Sequence, residues 1–248
     1  VRAFAEKEIK PLAQGLDERS EFSADLTKAM GKIGLFGMNL PEEFGGRNLD
    51  TLSYIIAIEE LARIDSSQAA TMAAHNSLGI APIYKYGNDE QKKRLLPSLT
   101  TGENVWAFGL TEPNAGSDAR AIETTAHLQT NQWIVNGQKI FITNSASELS
   151  MGVTLLANTS ENEEEKEFSA IILEKEISKY KAEPIHNKMV WRAADTGRLI
   201  FENTTVPKQN LLGKQGRGMH YMLETLDSGR LSIAAVGLGL AQGAFEMA

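Results

Sequence analysis

The chain has 248 residues, 42% hydrophobic and 23% charged, with a formal net charge of −7 and no cysteine. That acidic balance argues against a nucleic-acid or anionic-membrane surface, and zero cysteines exclude disulfides, thiolate catalysis and cysteine-ligated metals. No apolar run approaches the roughly 20 residues of a spanning helix. A globular protein of one large or two modest domains is expected, cytoplasmic in a bacterium or held in the mitochondrial matrix.

In chain order, Arg2, Glu6, Lys7 and Glu8 open an amphipathic helical pattern, and residues 1–100 read as helical throughout. Val1 starts inside that pattern with no initiator methionine, and Ala248 falls within another helical run; the chain reads as a piece of a longer protein. Gly34-Leu35-Phe36-Gly37 and Glu43-Phe44-Gly45-Gly46 are turn-forming. Asp50 or Thr51 starts a helix carrying Leu52, Ile55, Ile56, Ile58 and Leu61 near helical period. Ser66 or Ser67 is suited to cap the next helix, through Thr71, Ala74 and Leu78. Asn88 with Gln91 resembles a capping box, and the helix it opens is expected to end at Pro97.

Near Gly102 the texture changes. Ala121–Leu128, Trp133–Val135, Lys139–Thr143, Gly152–Ala157, Phe168–Leu173 and Arg198–Phe201 are short, β-branched or aromatic segments. Asn136-Gly137 is the strongest hairpin signal among them. Residues 158–167 are acidic and polar, a solvated loop between two strands. From Gly216 the chain is helical again. Helices, then strands, then helices give no βαβ alternation, which argues against a doubly wound nucleotide-binding sheet. Gly237-x-Gly239 lacks a preceding strand and a third glycine, so those glycines are taken as close helix–helix packing.

Three segments could carry chemistry. Phe108 to Asp118 starts as a strand, breaks at Pro113 and runs through small residues that leave backbone N–H groups open, suiting a planar heterocycle or a phosphate. A plain tight turn explains it equally well. In Lys139–Asn144, Phe141 and Thr143 are two apart on a strand and share a face, able to cover a ring and bond its edge; a core-facing aromatic is the default alternative. Asp227 and Arg230 share a helix face, either as an exposed ion pair or as a polar head-group site.

Taken together, T-E-P-x-A-G-S-D, N-G-x-K-x-F-I-T-N and L-D-x-G-R-x-x-I-A-A resemble the acyl-CoA dehydrogenase family. So do P-E-E-F-G-G, His75–Gly79, G-N-D-E-Q-K-K-R-L-L-P and Lys188–Thr196. The matches are collinear over nearly the whole chain. The resemblance implies an α-helical N-terminal domain (residues 1–103), a middle β-barrel or sandwich domain (104–214) and, over 215–248, the first helix of a C-terminal four-helix bundle. It implies FAD held by Phe108, Leu110, Thr111, Gly116, Ser117, Phe141, Ile142 and Thr143. Phe141 stands where many members carry tryptophan, and so lacks an indole N–H.

By the same resemblance Ser117, Asp227 and Arg230 bind acyl-CoA, and residues around Ala69–Ile80 line the acyl pocket. The implied reaction is α,β-dehydrogenation of a fatty acyl-CoA, with electrons passed to an electron-transfer flavoprotein, in a homotetramer. The catalytic base is expected beyond Ala248. A minority of members carry it just before the arginine matched by Arg230, where this chain has Gly229; replacing that helical glycine is expected to cost no stability. Glu112, inside the flavin-loop motif, is assigned no catalytic part. An acyl-CoA oxidase or flavin monooxygenase of the same fold, and a catalytically silent acyl-CoA-binding relative, remain as alternatives.

Overall fold

The computed structural model describes residues 1–161 and 166–248. α1 (Arg2–Phe4) runs through a π-helical stretch, Ala5–Ile9, into α2 (Lys10–Arg19). Ser23 caps α3 (Ala24–Lys32) by accepting from Leu26 N at 3.2 Å, and Asp50 caps α4 (Thr51–Ala62) from Ser53 N at 2.7 Å. Such caps satisfy N–H groups that the helix itself leaves free. α5 (Ser66–Ala74) is capped by Asp65, which accepts from Ser67 N at 2.7 Å, rather than by Ser66 or Ser67; a carboxylate also suits the positive end of the helix dipole.

α5 continues through a π-helical turn, His75–Ile80, into α6 (Ala81–Tyr86). Asn88 and Gln91 form the expected capping box on α7 (Asp89–Thr100). α7 does not stop at Pro97. The proline forfeits one helical hydrogen bond, but Leu95, Leu96 and Leu99 are fully buried around it. Thr100 Oγ1 adds a bond to Pro97 O at 3.0 Å.

The strands are β1 (Val105–Gly109), β2 (Thr125–Gln129), β3 (Gln132–Thr143), β4 (Ser150–Asn158), β5 (Phe168–Glu174), β6 (Lys181–Pro184), β7 (Thr196–Pro207) and β8 (Leu211–Leu212). They form one sheet in the order β6-β7-β3-β2-β4-β5-β8, with β1 parallel to β4. A short helix, α8 (Lys175–Ser178), follows β5. Period-two alternation divides the central strands between two cores. Ala107, Leu155 and Ile171 face a core with Trp133, Val135 and Phe201. Trp106, Leu156 and Ile172 face another with Leu95, Leu99 and Met222 of the helices. Burial on both faces explains why these strands read as continuous apolar runs. Of the polar stretch 158–167, residues 162–165 lie outside the described residues.

Asn136-Gly137 is not a hairpin turn; it lies inside β3, which is continuous for 12 residues. The β3–β7 register slips between Val135 and Gly137, and Gly137 has φ +138°. A β-bulge wants the same positive φ that a tight turn does, so the dipeptide alone cannot separate them. Asn136 Oδ1 accepts from Asn203 N at 2.8 Å, joining the bulge to β7. The chain reverses instead between Gln129 and Gln132, with Thr130 at φ +55°.

α9 (Gly218–Met247) runs 30 residues and joins the core of the N-terminal helices through Ala235 and Val236. The Tyr54 hydroxyl contacts Ser232 Oγ at 3.1 Å and donates to Ala73 O at 3.2 Å, tying α4, α5 and α9 together. Close packing holds for Gly239, where an added Cβ would sit 2.4 Å from Glu59 O, but not for Gly237, which has open space beside it.

Candidate functional site

Phe108, Leu110 and Thr111, at the end of β1 and just after it, meet Phe141, Ile142 and Thr143 around a cavity of about 160 Å³. Trp106, Leu78 and Leu226 complete its apolar walls, with the two threonines among its polar groups. Flat apolar walls with hydroxyls among them fit a planar, polar-edged ring. Gly116 and Ser117 are exposed and do not line this cavity; a Cβ on Gly116 would meet nothing within 4 Å.

Phe141 and Thr143 do share a cavity, but not by simple strand alternation. The β3–β7 register slips again between Lys139 and Ile142, and Phe141 has φ +61°. Three successive residues therefore line one space. The Phe141 side chain is 65% exposed. An aromatic residue in left-handed backbone with so little burial is strained without local repayment, a pattern found at ligand-binding positions.

A buried ion pair touches the backbone of Leu110, one of the cavity's lining residues. Lys139 Nζ is 2.7 Å from Glu112 Oε1, with side chains 0% and 3% exposed, and donates to Leu110 O at 3.1 Å. Glu112 also accepts from Glu123 N (2.7 Å) and Thr124 N (3.1 Å). Burial pushes the Glu112 carboxyl up, but Lys139 and these hydrogen bonds outweigh it and hold it below the usual range. Burial pushes the Lys139 ammonium down to about 8, so both groups are charged at neutral pH. With its oxygens so occupied, Glu112 is not a free base.

A second cavity of about 370 Å³ adjoins the first and shares Ala74, Leu78, Thr143 and Leu226 with it. Ala70, Ala73 and Ser77 come from α5 and the π-helical turn, Gly229, Arg230 and Ile233 from α9. Arg230 thus reaches the wall of this cavity, whereas Asp227 does not. The two form an exposed ion pair, 3.0 Å apart with side chains 75% and 71% exposed. Gly229 is buried, and a Cβ there would sit 2.8 Å from Leu78 Cδ2. A side chain at this position would push aside only the tip of the half-buried Leu78 side chain, a small shift.

Trp191, with φ +51°, also lines the second cavity. Its place in Lys188–Thr196 was visible in the sequence, but its role was not. Asp195 supports that segment by accepting from Ala146 N (3.0 Å) and Ser147 N (2.9 Å); burial raises its carboxyl pKa in spite of them. Trp106 had no sequence signal beyond its apolarity. A larger cleft of about 760 Å³ lies elsewhere, where Lys28, Lys32 and Arg47 stand beside Glu42 and Glu103; Glu42, Gly45 and Gly46 of P-E-E-F-G-G line it, but none of the residues expected to hold FAD or acyl-CoA does.

His75 is fully buried, with Nε2 2.8 Å from Leu99 O and Nδ1 accepting from Trp106 N at 3.0 Å. Those partners fix the proton on Nε2. Burial pushes the imidazole down to about 4, so it is a neutral structural link between α7, β1 and the π-helical turn.

Residues 1–103 match the acyl-CoA dehydrogenase N-terminal domain, and residues 107–204 its middle domain. The chain belongs to the acyl-CoA dehydrogenase family. Among acyl-CoA dehydrogenases, it is 41% identical over its whole length to the short-chain specific enzyme of Clostridium acetobutylicum, spanning 65% of that protein. The butyryl-CoA dehydrogenase structure from Megasphaera elsdenii superposes with a TM-score of 0.92 at 35% identity, over 98% of this chain and 64% of that one. A glutaryl-CoA dehydrogenase from Mycobacterium smegmatis, in complex with FADH2, gives 0.91 at 31% identity, over 99% and 61%. No helix among the described residues is long and apolar enough to cross a membrane.

Proposed function

We propose that the whole protein is an FAD-dependent acyl-CoA dehydrogenase acting on short-chain thioesters. It forms the trans-2-enoyl-CoA, passes electrons to an electron-transfer flavoprotein and works as a homotetramer. The observation that carries this reading is the adjacency of the two cavities: a ring-sized space shares Ala74, Leu78, Thr143 and Leu226 with an apolar one suited to an acyl chain. Residues 1–103 and 104–214 are its helical and β domains, and 215–248 begin the C-terminal helical domain. In support, α9 leaves Leu231, Leu238 and Phe245, spaced seven apart on one face, between 55% and 80% exposed, an apolar face that further bundle helices would cover.

In this reading the flavin ring is held by Phe108, Leu110, Thr111, Phe141, Ile142 and Thr143, with Gly116 and Ser117 at the rim. The flavin, when bound, accepts the hydride leaving the β-carbon. The protein's own residues orient the thioester, exclude water and supply hydrogen-bond donors. Ser117, Arg230 and Asp227 serve the CoA portion. The α-proton needs a carboxylate within hydrogen-bond reach, and no carboxylate lines either cavity among the described residues. By resemblance to the family, we assign the base to a residue beyond Ala248.

With full-length enzyme, kcat/KM across straight-chain acyl-CoAs is expected to peak at butyryl-CoA; a peak at long chains overturns the short-chain assignment. Arg230→Ala should raise KM roughly tenfold at unchanged FAD content, the ~1.4 kcal/mol of one charge-assisted hydrogen bond at an exposed position. Loss of FAD instead would make α9 a flavin-binding element here. Phe141→Asn should leave stability level or raise it by up to ~1 kcal/mol, since asparagine tolerates left-handed backbone. The same variant should hold FAD about tenfold more weakly for want of an aromatic face. Thermal melts of the apoprotein and FAD titration separate the two effects.

A further inference from the structure

We propose that the buried Lys139–Glu112 pair sets the charge beneath the flavin ring. The ammonium fixes the Leu110–Thr111 peptide so that its N–H faces the ring cavity. The balance of the two charges decides how much more tightly the reduced ring is held than the oxidised one. This rests on the FAD reading of the cavity and concerns residues to which that reading gives no part.

Lys139 Nζ holds Leu110 O at 3.1 Å, and Ile140 N holds Thr111 O at 2.9 Å, so both carbonyls turn toward β3. In a planar trans peptide the N–H points opposite to the C=O. The Thr111 N–H therefore faces away from Lys139, on a residue that lines the cavity. A cation on the Leu110 carbonyl polarises that N–H, and both residues of the peptide line the cavity. Stability alone gives a weak account of the pair, because apolar residues of equal volume commonly replace a buried ion pair at no loss.

Reduction adds electron density to a flavin, so a fixed cation nearby favours the reduced ring and a fixed anion opposes it. Neutralising each partner must then act with opposite sign, which a purely mechanical brace would not do. The double variant, neutral at both positions, should fall between the singles.

The test uses full-length protein as wild type, Lys139→Met, Glu112→Gln and the double variant. FAD content and the reduction potential of bound flavin are measured against an indicator dye. Lys139→Met should weaken the preference for reduced over oxidised flavin about tenfold, a shift of about 30 mV to more negative potential for a two-electron couple. Glu112→Gln should shift it positively at a pH low enough to keep Lys139 protonated without its partner, and that shift should fade as pH rises and the buried ammonium loses its proton. Should Lys139→Met fail to fold, Glu112→Gln must still lie positive of the double variant. Singles that move together, or potentials that stay put while FAD is retained, overturn the inference. A wild type that takes up no FAD overturns the functional reading beneath it instead.

Discussion

Replacing Trp106 with alanine should lower the unfolding free energy of the full-length protein by about 3–5 kcal/mol, the range for emptying a large aromatic site in a packed core. The indole is fully buried, and its Nε1 donates to Thr154 Oγ1 at 3.0 Å, so removal also strands a buried hydroxyl. The neighbouring strand has moulded itself to the ring. A Cβ on Gly152 would sit 2.4 Å from Leu173 O and 2.6 Å from Trp106 Cη2, so glycine there lets the ring pack against the strand. Because Trp106 also lines the 160 Å³ cavity, the same change should loosen FAD. Trp106→Phe should retain most of the stability. Denaturant unfolding of the two variants checks this; a loss below about 1 kcal/mol for alanine would mean that β1 repacks.

His75 should make the protein acid-labile in a defined window. Its folded pKa, about 4, lies below the unfolded value of 6.5. The unfolded chain therefore takes up the proton first as pH falls. The contribution is whole above pH 6.5 and is lost progressively on the way down to about 4, where it reaches about 3 kcal/mol. Burial raises the carboxyl pKa of Asp65 and Asp195, which acts with the opposite sign, so the His75 share has to be isolated. His75→Asn keeps an acceptor for Trp106 N and removes the titration. Between about pH 7 and pH 4.5, wild type should lose markedly more stability than the variant. Parallel profiles would place the acid sensitivity elsewhere.

What could be read from the sequence followed from how far apart the interacting residues lie. Asn88 and Gln91 cap α7 from three residues apart, and that pairing was legible. So was the order of helices, strands and helices. The Asn136-Gly137 bulge was misread because a positive φ is common to bulges and turns, and only β7 on the far side keeps β3 continuous. Pro97 was misread because the apolar burial that carries α7 past it comes from other elements.

Within the site, Phe108, Leu110, Thr111, Phe141, Ile142 and Thr143 came out of motif resemblance, and they meet around one cavity. Lys139 enters the sequence reading only as part of the Lys139–Asn144 strand segment. It is buried because a carboxylate 27 residues away neutralises it, which no local periodicity reveals. The left-handed backbone at Phe141 runs against aromatic propensity, so it was invisible until the bulge was seen.

This part of the protein builds two adjoining cavities, which we propose take a flavin ring and a short acyl chain. The most direct test of that assignment is to purify the full-length protein, measure FAD in each subunit and follow flavin absorption on anaerobic addition of butyryl-CoA. The protein should be yellow, with a flavin band that bleaches on adding the substrate. A colourless protein that takes up no FAD on reconstitution, or a flavin left oxidised by every acyl-CoA, would contradict the assignment.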